Sequence, residues 1–437
     1  MVQGVWTLRE RFLMKSLILP LCVAALAAQP LVFAASTTTT THRTIHRAHA
    51  RLHAAAAAHR HGTAAHRATP VTAHTARAHM TSATLTSARG AHSGHLRYAV
   101  ARHHYYERFT ASSFADTDLT VGDVTAGEDP VVRQAAIAAL GDMNGTVVAI
   151  DPSNGRILAM VNQKLALSSG AEPCSTIKLS VALAALEEGI ITKDTPVNLG
   201  GYYHLNLTEA LANSVNLYFE VLGRRLGFER VRHYATEFGL GELAGYDIPG
   251  EQPGLYPDEP IPDSEGGVGR MCSFGEGISM TPLQLGALVA AIANGGTLYY
   301  LQHPTTPEEA LNFQPRIKRM LNIAPILPEI RPGMQGAVQF GTARSLRANF
   351  NEFPVLGKTG TCSDDGTRFG WFASYADTQY GRIVAVFFLE GGRSTFGPKA
   401  AELTGIFYRN LWDSSYFAAK EPLETAAPAT TELGAPQ

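Results

Sequence analysis

The chain has 437 residues, 45% hydrophobic and 17% charged, enough for one large core or two smaller ones, which excludes a chain too small to bury a core. Its net charge of −2 conceals a division. Residues 36–110 hold ten arginines, no lysine and one acid, Glu107, whereas residues 111–437 carry −13; a basic segment precedes an acidic body for which no nucleic-acid partner is expected.

Residues 1–35 read as a signal peptide or N-terminal anchor. Arg9, Arg11 and Lys15 precede the apolar run "LILPLCVAALAA", and small residues follow it. Met14 opens a complete signal of its own. Pro20, Gln29 and Pro30 interrupt a span of ~20 apolar residues, which favours cleavage over retention. Cys22 follows the bulky Leu21 and is not expected to carry a lipid. The chain is expected in the cell envelope, on the outer (periplasmic) side of the cytoplasmic membrane, released or anchored.

Residues 36–128 are expected to form a linker. Up to about residue 110 the chain is a low-complexity run of Ala, Thr, His and Arg that holds thirteen of the sixteen histidines. Metal capture by those histidines and arginine attraction to anionic membrane or wall polymers are sharper readings of the same run, without fixed spacing behind them.

A folded domain is expected over residues 129–415, followed by a disordered tail over 416–437. "VVRQAAIAAL" has helical apolar spacing. "GTVVAID" and "GRILAMV" are β-rich and are separated by "PSNG", a hairpin turn. A helix follows from Ser175 and is ended by Gly189. Helical patterns dominate residues 207–238 and 281–293. "VLGKTGT", "FGWFASYA" and "RIVAVFFLE" read as three strands, and "KAAELTGIFYRNLW" as a closing helix. The pattern predicts an α+β fold: an antiparallel five-stranded sheet flanked by helices, with an all-helical subdomain inserted between the first two and last three strands.

Three short motifs carry the chemistry. In "EPCSTIKLS", Ser175 and Lys178 stand three apart at the start of a helix, so the amine reaches the hydroxyl. A serine is a weak nucleophile unless a base takes its proton, and a lysine serves as that base when burial or nearby positive charge lowers its pKa. "LANSVNLYF" holds the chain's single S-x-N, Ser214 and Asn216, on a turn between helices. "LGKTGT" holds its single K-T-G, Lys358, Thr359 and Gly360, with Thr361 next, in a strand. Gly360 lets a substrate backbone approach that strand, and Lys358 and Thr361 offer a cation and a hydroxyl to a carboxylate. Each motif alone has an ordinary reading: a solvated Ser–Lys pair, helix caps, an edge-strand lysine beside a bulge. Their joint occurrence in this order is what singles them out. No Cys/His spacing suits zinc, so neither a metal nor a cofactor is expected.

At this point residues 129–412 resemble the transpeptidase domain of penicillin-binding proteins, within the serine acyl-enzyme superfamily that includes β-lactamases. "GTVVAIDPSNGRILAMV" is similar to the family's opening hairpin, and "SFGEGISMTPLQLGALVAAIANGG" resembles its helix before the third motif. "FGLGELAGYDIPGE" and "RPGMQGAVQFGTA" also fit. The resemblance implies a D,D-transpeptidase or carboxypeptidase that acts on peptidoglycan stem peptides ending in D-Ala-D-Ala, with β-lactams as covalent inhibitors. Ser175 would be the nucleophile and Lys178 its base. Ser214 would relay the proton to the leaving amine, tuned by Lys358. Asn216, Thr359, Gly360 and Thr361 would bind substrate. The N–H groups of Ser175 and Thr361 would form the oxyanion hole.

The chain departs from the family pattern in places. Cys174 stands where glycine is usual, and Phe274 and Glu276 where Ile and Gln are commoner. The interval from Ser175 to Ser214 is short, and no glycosyltransferase or pedestal domain is expected upstream. Cys174, Cys272 and Cys362 all flank motifs. Two of them are expected to pair near the cleft, Cys272 with Cys362 being favoured, against the alternative of three buried thiols. A serine β-lactamase and a non-catalytic β-lactam sensor or wall-binding module are the competing functions.

Overall fold

The computed structural model describes residues 109–418. The expected export segment, the low-complexity run through residue 108 and the tail from residue 419 lie outside the described residues.

Helix α1, Pro130–Leu140, begins where Asp129 accepts hydrogen bonds from the N–H groups of Val131 and Val132, and Pro130 supplies its first residue. Strands β1, Gly145–Asp151, and β2, Arg156–Val161, form the first hairpin. The next elements are a 3₁₀ turn, Cys174–Ile177, and helix α2, Lys178–Glu187. Helices α3 (Leu207–Ala212), α4 (Asn216–Leu226), α5 (Phe228–Glu237), α6 (Gly267–Phe274), α7 (Pro282–Asn294) and α8 (Leu327–Gln339) fill the middle of the chain. Strands β3 (Val355–Asp364), β4 (Thr367–Thr378) and β5 (Gly381–Gly391) and helix α9 (Gly397–Asp413) close it.

The sheet order is β2-β1-β5-β4-β3, antiparallel throughout. The β3–β4 turn is Asp365-Gly366, both with positive φ (46° and 75°), the geometry of a two-residue hairpin turn matched to strand twist. Side chains alternate between the faces of the sheet. Val148, Ile150, Val384, Val386 and Phe388 point toward α2 and α7; Val147, Ala149, Ala385, Phe387 and Leu389 point toward α1 and α9. Both faces are covered, which is why β1 and β5 read as unbroken apolar runs. Helix α7, capped by Thr281 and Gln284, is buried along almost its whole length. Gly286 brings α7 against the sheet, since a Cβ there would lie 2.5 Å from Ile150 Cδ1.

Three expectations need correction. The inserted region is not wholly helical: it also carries two-stranded ribbons, Val197–Asn198 with His204–Leu205 and Thr297–Tyr300 with Arg316–Met320. These strands are too short, or too polar, to show an apolar alternation. The expected linker runs to residue 128, yet residues 109–128 pack on the folded body. Asp123 and Glu128 pair with Arg133, each at 2.9 Å, and also accept the N–H groups of Gln163 and Met160. At the other end, Tyr416 and Phe417 are buried beyond the expected boundary at 415. The contacts to Gln163 and Met160 join segments 40 and 32 residues apart, where local composition carries no signal.

Candidate active site

The three motifs converge. Ser175 lies in the 3₁₀ turn that leads into α2. The α-helix expected from Ser175 begins only at Lys178, where the 3₁₀ turn hands over to α2, and this places Lys178 one turn on from Ser175. Lys178 Nζ is 2.6 Å from Ser175 Oγ. Helix α2 is apolar all round and buried, which carries Lys178 into the core at 0% exposure.

Ser214 occupies the turn between α3 and α4 with φ of +55°, a left-handed conformation uncommon outside glycine. That turn ends α3 and aims the hydroxyl at two lysines. Ser214 Oγ accepts from Lys358 Nζ at 2.8 Å and from Lys178 Nζ at 3.3 Å. Asn216 opens α4, and its Oδ1 accepts from Lys178 Nζ at 2.6 Å. Neither side chain caps a helix.

Strand β3 is the sheet edge that faces this group. Lys358, at 0% exposure, also donates to the Thr359 carbonyl at 2.9 Å. Burial alone pulls the Lys358 amine down to about 7. Burial, then the Lys358 charge, holds Lys178 well below the usual lysine range, opposed by Glu220. Two buried lysines that share one serine cannot both keep their protons at low cost.

Gly360 is needed for contact with the Ser175 turn: a Cβ there would lie 2.9 Å from the Pro173 carbonyl oxygen and 3.1 Å from Thr176 Cγ2. The close approach that sequence assigns to a substrate backbone is occupied on this side by the protein's own chain. Thr361 Oγ1 accepts from the Gly397 N–H at 2.8 Å, and Thr359 Oγ1 lies 2.6 Å from Thr342 Oγ1.

The expected Cys272–Cys362 pair does not form. Cys174 is bonded to Cys362, and Cys272 is a free, buried thiol on α6. The Cys272 side chain packs where α4 comes close: a Cβ on Gly223 would lie 2.6 Å from its sulfur. Cys174 has φ of +51°, which accounts for glycine being usual at this position in the family it resembles.

Sequence reasoning missed Thr342, Trp371 and Glu172. Trp371 Nε1 donates to the Glu172 carbonyl at 3.0 Å, which braces the Ser175 turn. The Glu172 carboxyl is pushed up to about 7 by burial and by Glu276 and Asp364, with Arg270 opposing. Thr342 lies within the "QFGTA" stretch that carries part of the resemblance, but nothing local marks its hydroxyl as a partner of Thr359.

Residues 145–409 match the family described as the penicillin binding protein transpeptidase domain. The chain is 32% identical over 262 residues to stage V sporulation protein D of Bacillus subtilis, covering 49% of this chain and 39% of that protein. It is 26% identical over 364 residues to peptidoglycan D,D-transpeptidase MrdA of Acinetobacter baumannii, covering 64% of this chain and 52% of that protein. The chain thus spans about two-fifths to half the length of these curated relatives. A solved structure of a peptidoglycan glycosyltransferase from Burkholderia ambifaria superposes with a TM-score of 0.58 at 21% identity, covering 68% of this chain and 100% of that one. At that identity the likeness is one of fold.

Proposed function

The chain belongs to the penicillin-binding protein transpeptidase family, and we propose that it is a serine D,D-transpeptidase or D,D-carboxypeptidase of the cell envelope, acting on stem peptides that end in D-Ala-D-Ala. The observation that carries this reading is the 2.6 Å contact between Lys178 Nζ and Ser175 Oγ, with the lysine fully buried.

Neutral Lys178 has one lone pair and two N–H groups. The N–H groups satisfy Asn216 Oδ1 and Ser214 Oγ, which leaves the lone pair for the Ser175 proton. Ser175 Oγ attacks the carbonyl carbon of the penultimate D-Ala as its proton passes to Lys178. The oxyanion forms between the N–H groups of Ser175 and Thr361, each donor contributing about 3–4 kcal/mol to such an intermediate. Ser214 passes its proton to the amine of the terminal D-Ala, which leaves, and takes in exchange the proton that Lys178 received from Ser175. Lys358 steadies the Ser214 oxygen during that transfer and, with Thr359 and Thr361, offers a positive, hydroxyl-lined wall to the terminal carboxylate. An amine of another stem peptide, or water, then takes the acyl group from Ser175. A β-lactam follows the first half of this path and stays on the serine.

The test is release of D-Ala from a synthetic stem pentapeptide, with and without an added acceptor amine. Release lost in Ser175→Ala supports the reading, and a cross-linked product with the acceptor identifies a transpeptidase. A wild-type protein that binds penicillin covalently yet releases no D-Ala would favour the sensor reading.

A further inference from the structure

The two cysteines of the disulfide flank the two proposed oxyanion donors: Cys174 immediately precedes Ser175, and Cys362 immediately follows Thr361. We propose that the Cys174–Cys362 disulfide is a positioning device that holds the Ser175 and Thr361 N–H groups at the spacing the tetrahedral intermediate requires, so that acylation depends on the redox state of this pair. The inference rests on the acyl-enzyme reading above.

Three observations carry it. Strand β3 is an edge strand, so no further strand among the described residues holds its outer side against the Ser175 turn. The non-covalent ties between turn and sheet include the Trp371 hydrogen bond to the Glu172 carbonyl and the packing of Gly360 on Pro173 and Thr176. The disulfide adds the one covalent link, between residues 188 apart in sequence. Second, the link sits one residue from each donor, where a change of spacing is transmitted through a single peptide unit. Third, Cys174 holds a left-handed φ of +51° that glycine adopts more readily, so the role specific to a cysteine there is the cross-link.

Cys362 is half-buried and Cys174 fully buried, so a dithiol reaches the Cys362 sulfur first. Its thiolate attacks that sulfur, the S–S bond breaks, and Cys174 leaves as a thiolate that takes a proton. The second thiol of the reductant closes on the first and expels Cys362, also protonated. The products are two protein thiols and one oxidised cyclic disulfide.

The experiment is stopped-flow acylation of the full chain by a fluorescent penicillin, oxidised and after dithiothreitol, with saturation kinetics to separate binding from acylation. Denaturing thiol counts verify a rise of two on reduction. Near-UV circular dichroism verifies folding. Reduction is expected to slow the acylation step about tenfold, with prior binding changed less than about twofold. Affinity for a boronic acid that forms a tetrahedral adduct on Ser175 is expected to fall in parallel. Cys362→Ser should be slow and indifferent to dithiothreitol. Cys174→Gly, which suits the left-handed backbone without the link, should be equally slow. Equal rates in both redox states, or a Cys174→Gly variant as fast as the oxidised wild type, overturn the inference and leave the acyl-enzyme reading intact. If the reduced protein loses its fold, Cys174→Gly alone decides. Absence of any adduct in the oxidised wild type overturns both.

Discussion

Lys178 Nζ lies 2.6 Å from Ser175 Oγ across the junction where the 3₁₀ turn Cys174–Ile177 passes into α2 at Lys178. The base is therefore set by the backbone as well as by side-chain choice. Lys178→Met keeps the length and apolar stem while removing the amine. It is expected to slow penicillin acylation by roughly 10²–10⁴, the range for loss of a positioned general base. In the wild type, burial and then the Lys358 charge hold Lys178 well below the usual lysine range, and acylation should fall as pH rises through about 7, where buried Lys358 loses the charge that steadies Ser214. Pre-steady-state kinetics over a pH series check both, and a Lys178→Met variant that acylates as fast as the wild type would contradict the assignment of Lys178 as base.

Glu172 links pH to stability. Its folded carboxyl titrates at about 7 against an ordinary 4.5, so between those values the folded chain binds more protons than the unfolded one. This contribution is fully present below about 4.5 and is lost as pH rises through 7. Glu172→Gln removes the dependence and should stabilise the protein more at pH 8 than at pH 5. Urea unfolding at the two pH values measures it.

Gly360→Ala places a methyl group 2.9 Å from the Pro173 oxygen, 3.1 Å from Thr176 and 3.2 Å from the Trp371 Cβ. Strand and nucleophile turn must separate to admit it. The expected cost is about 1–3 kcal/mol of stability together with slower acylation, read by denaturation and by penicillin kinetics on the same sample. Unchanged kinetics would mean that this contact does not set the site.

Thr342→Val keeps the shape but leaves the Thr359 hydroxyl, 3% exposed, without its partner at 2.6 Å. A buried hydroxyl left unpaired costs about 1–3 kcal/mol, and Thr359 is free to rotate toward the cleft. The expected outcome is a raised KM for a D-Ala-D-Ala pentapeptide with kcat changed less, measured by D-Ala release.

Much of the sheet and most of the site were legible in the sequence, for reasons that differ by residue. Strands β1 and β5 are buried on both faces, so their apolar runs stand out. Ser175 and Lys178 are neighbours through local geometry, and Ser214, Asn216 and Lys358 belong to motifs unique in the chain. What stayed hidden depends on contacts between distant segments. Asp123 and Glu128 look like an acidic loop until the N–H groups of Gln163 and Met160 are beside them. Three cysteines allow three pairings, and only the approach of β3 to the nucleophile turn selects Cys174 with Cys362. The ribbon strand Val197–Asn198 has two residues, too few to show a period.

The central claim is that Ser175 is the nucleophile, and the most direct measurement is the intact mass and peptide map of the chain after exposure to benzylpenicillin. One penicilloyl group per chain is expected, on the peptide that contains Ser175, absent from Ser175→Ala and slow to form in Lys178→Met. An unmodified wild-type chain, or an adduct on another residue that persists in Ser175→Ala, would contradict the account.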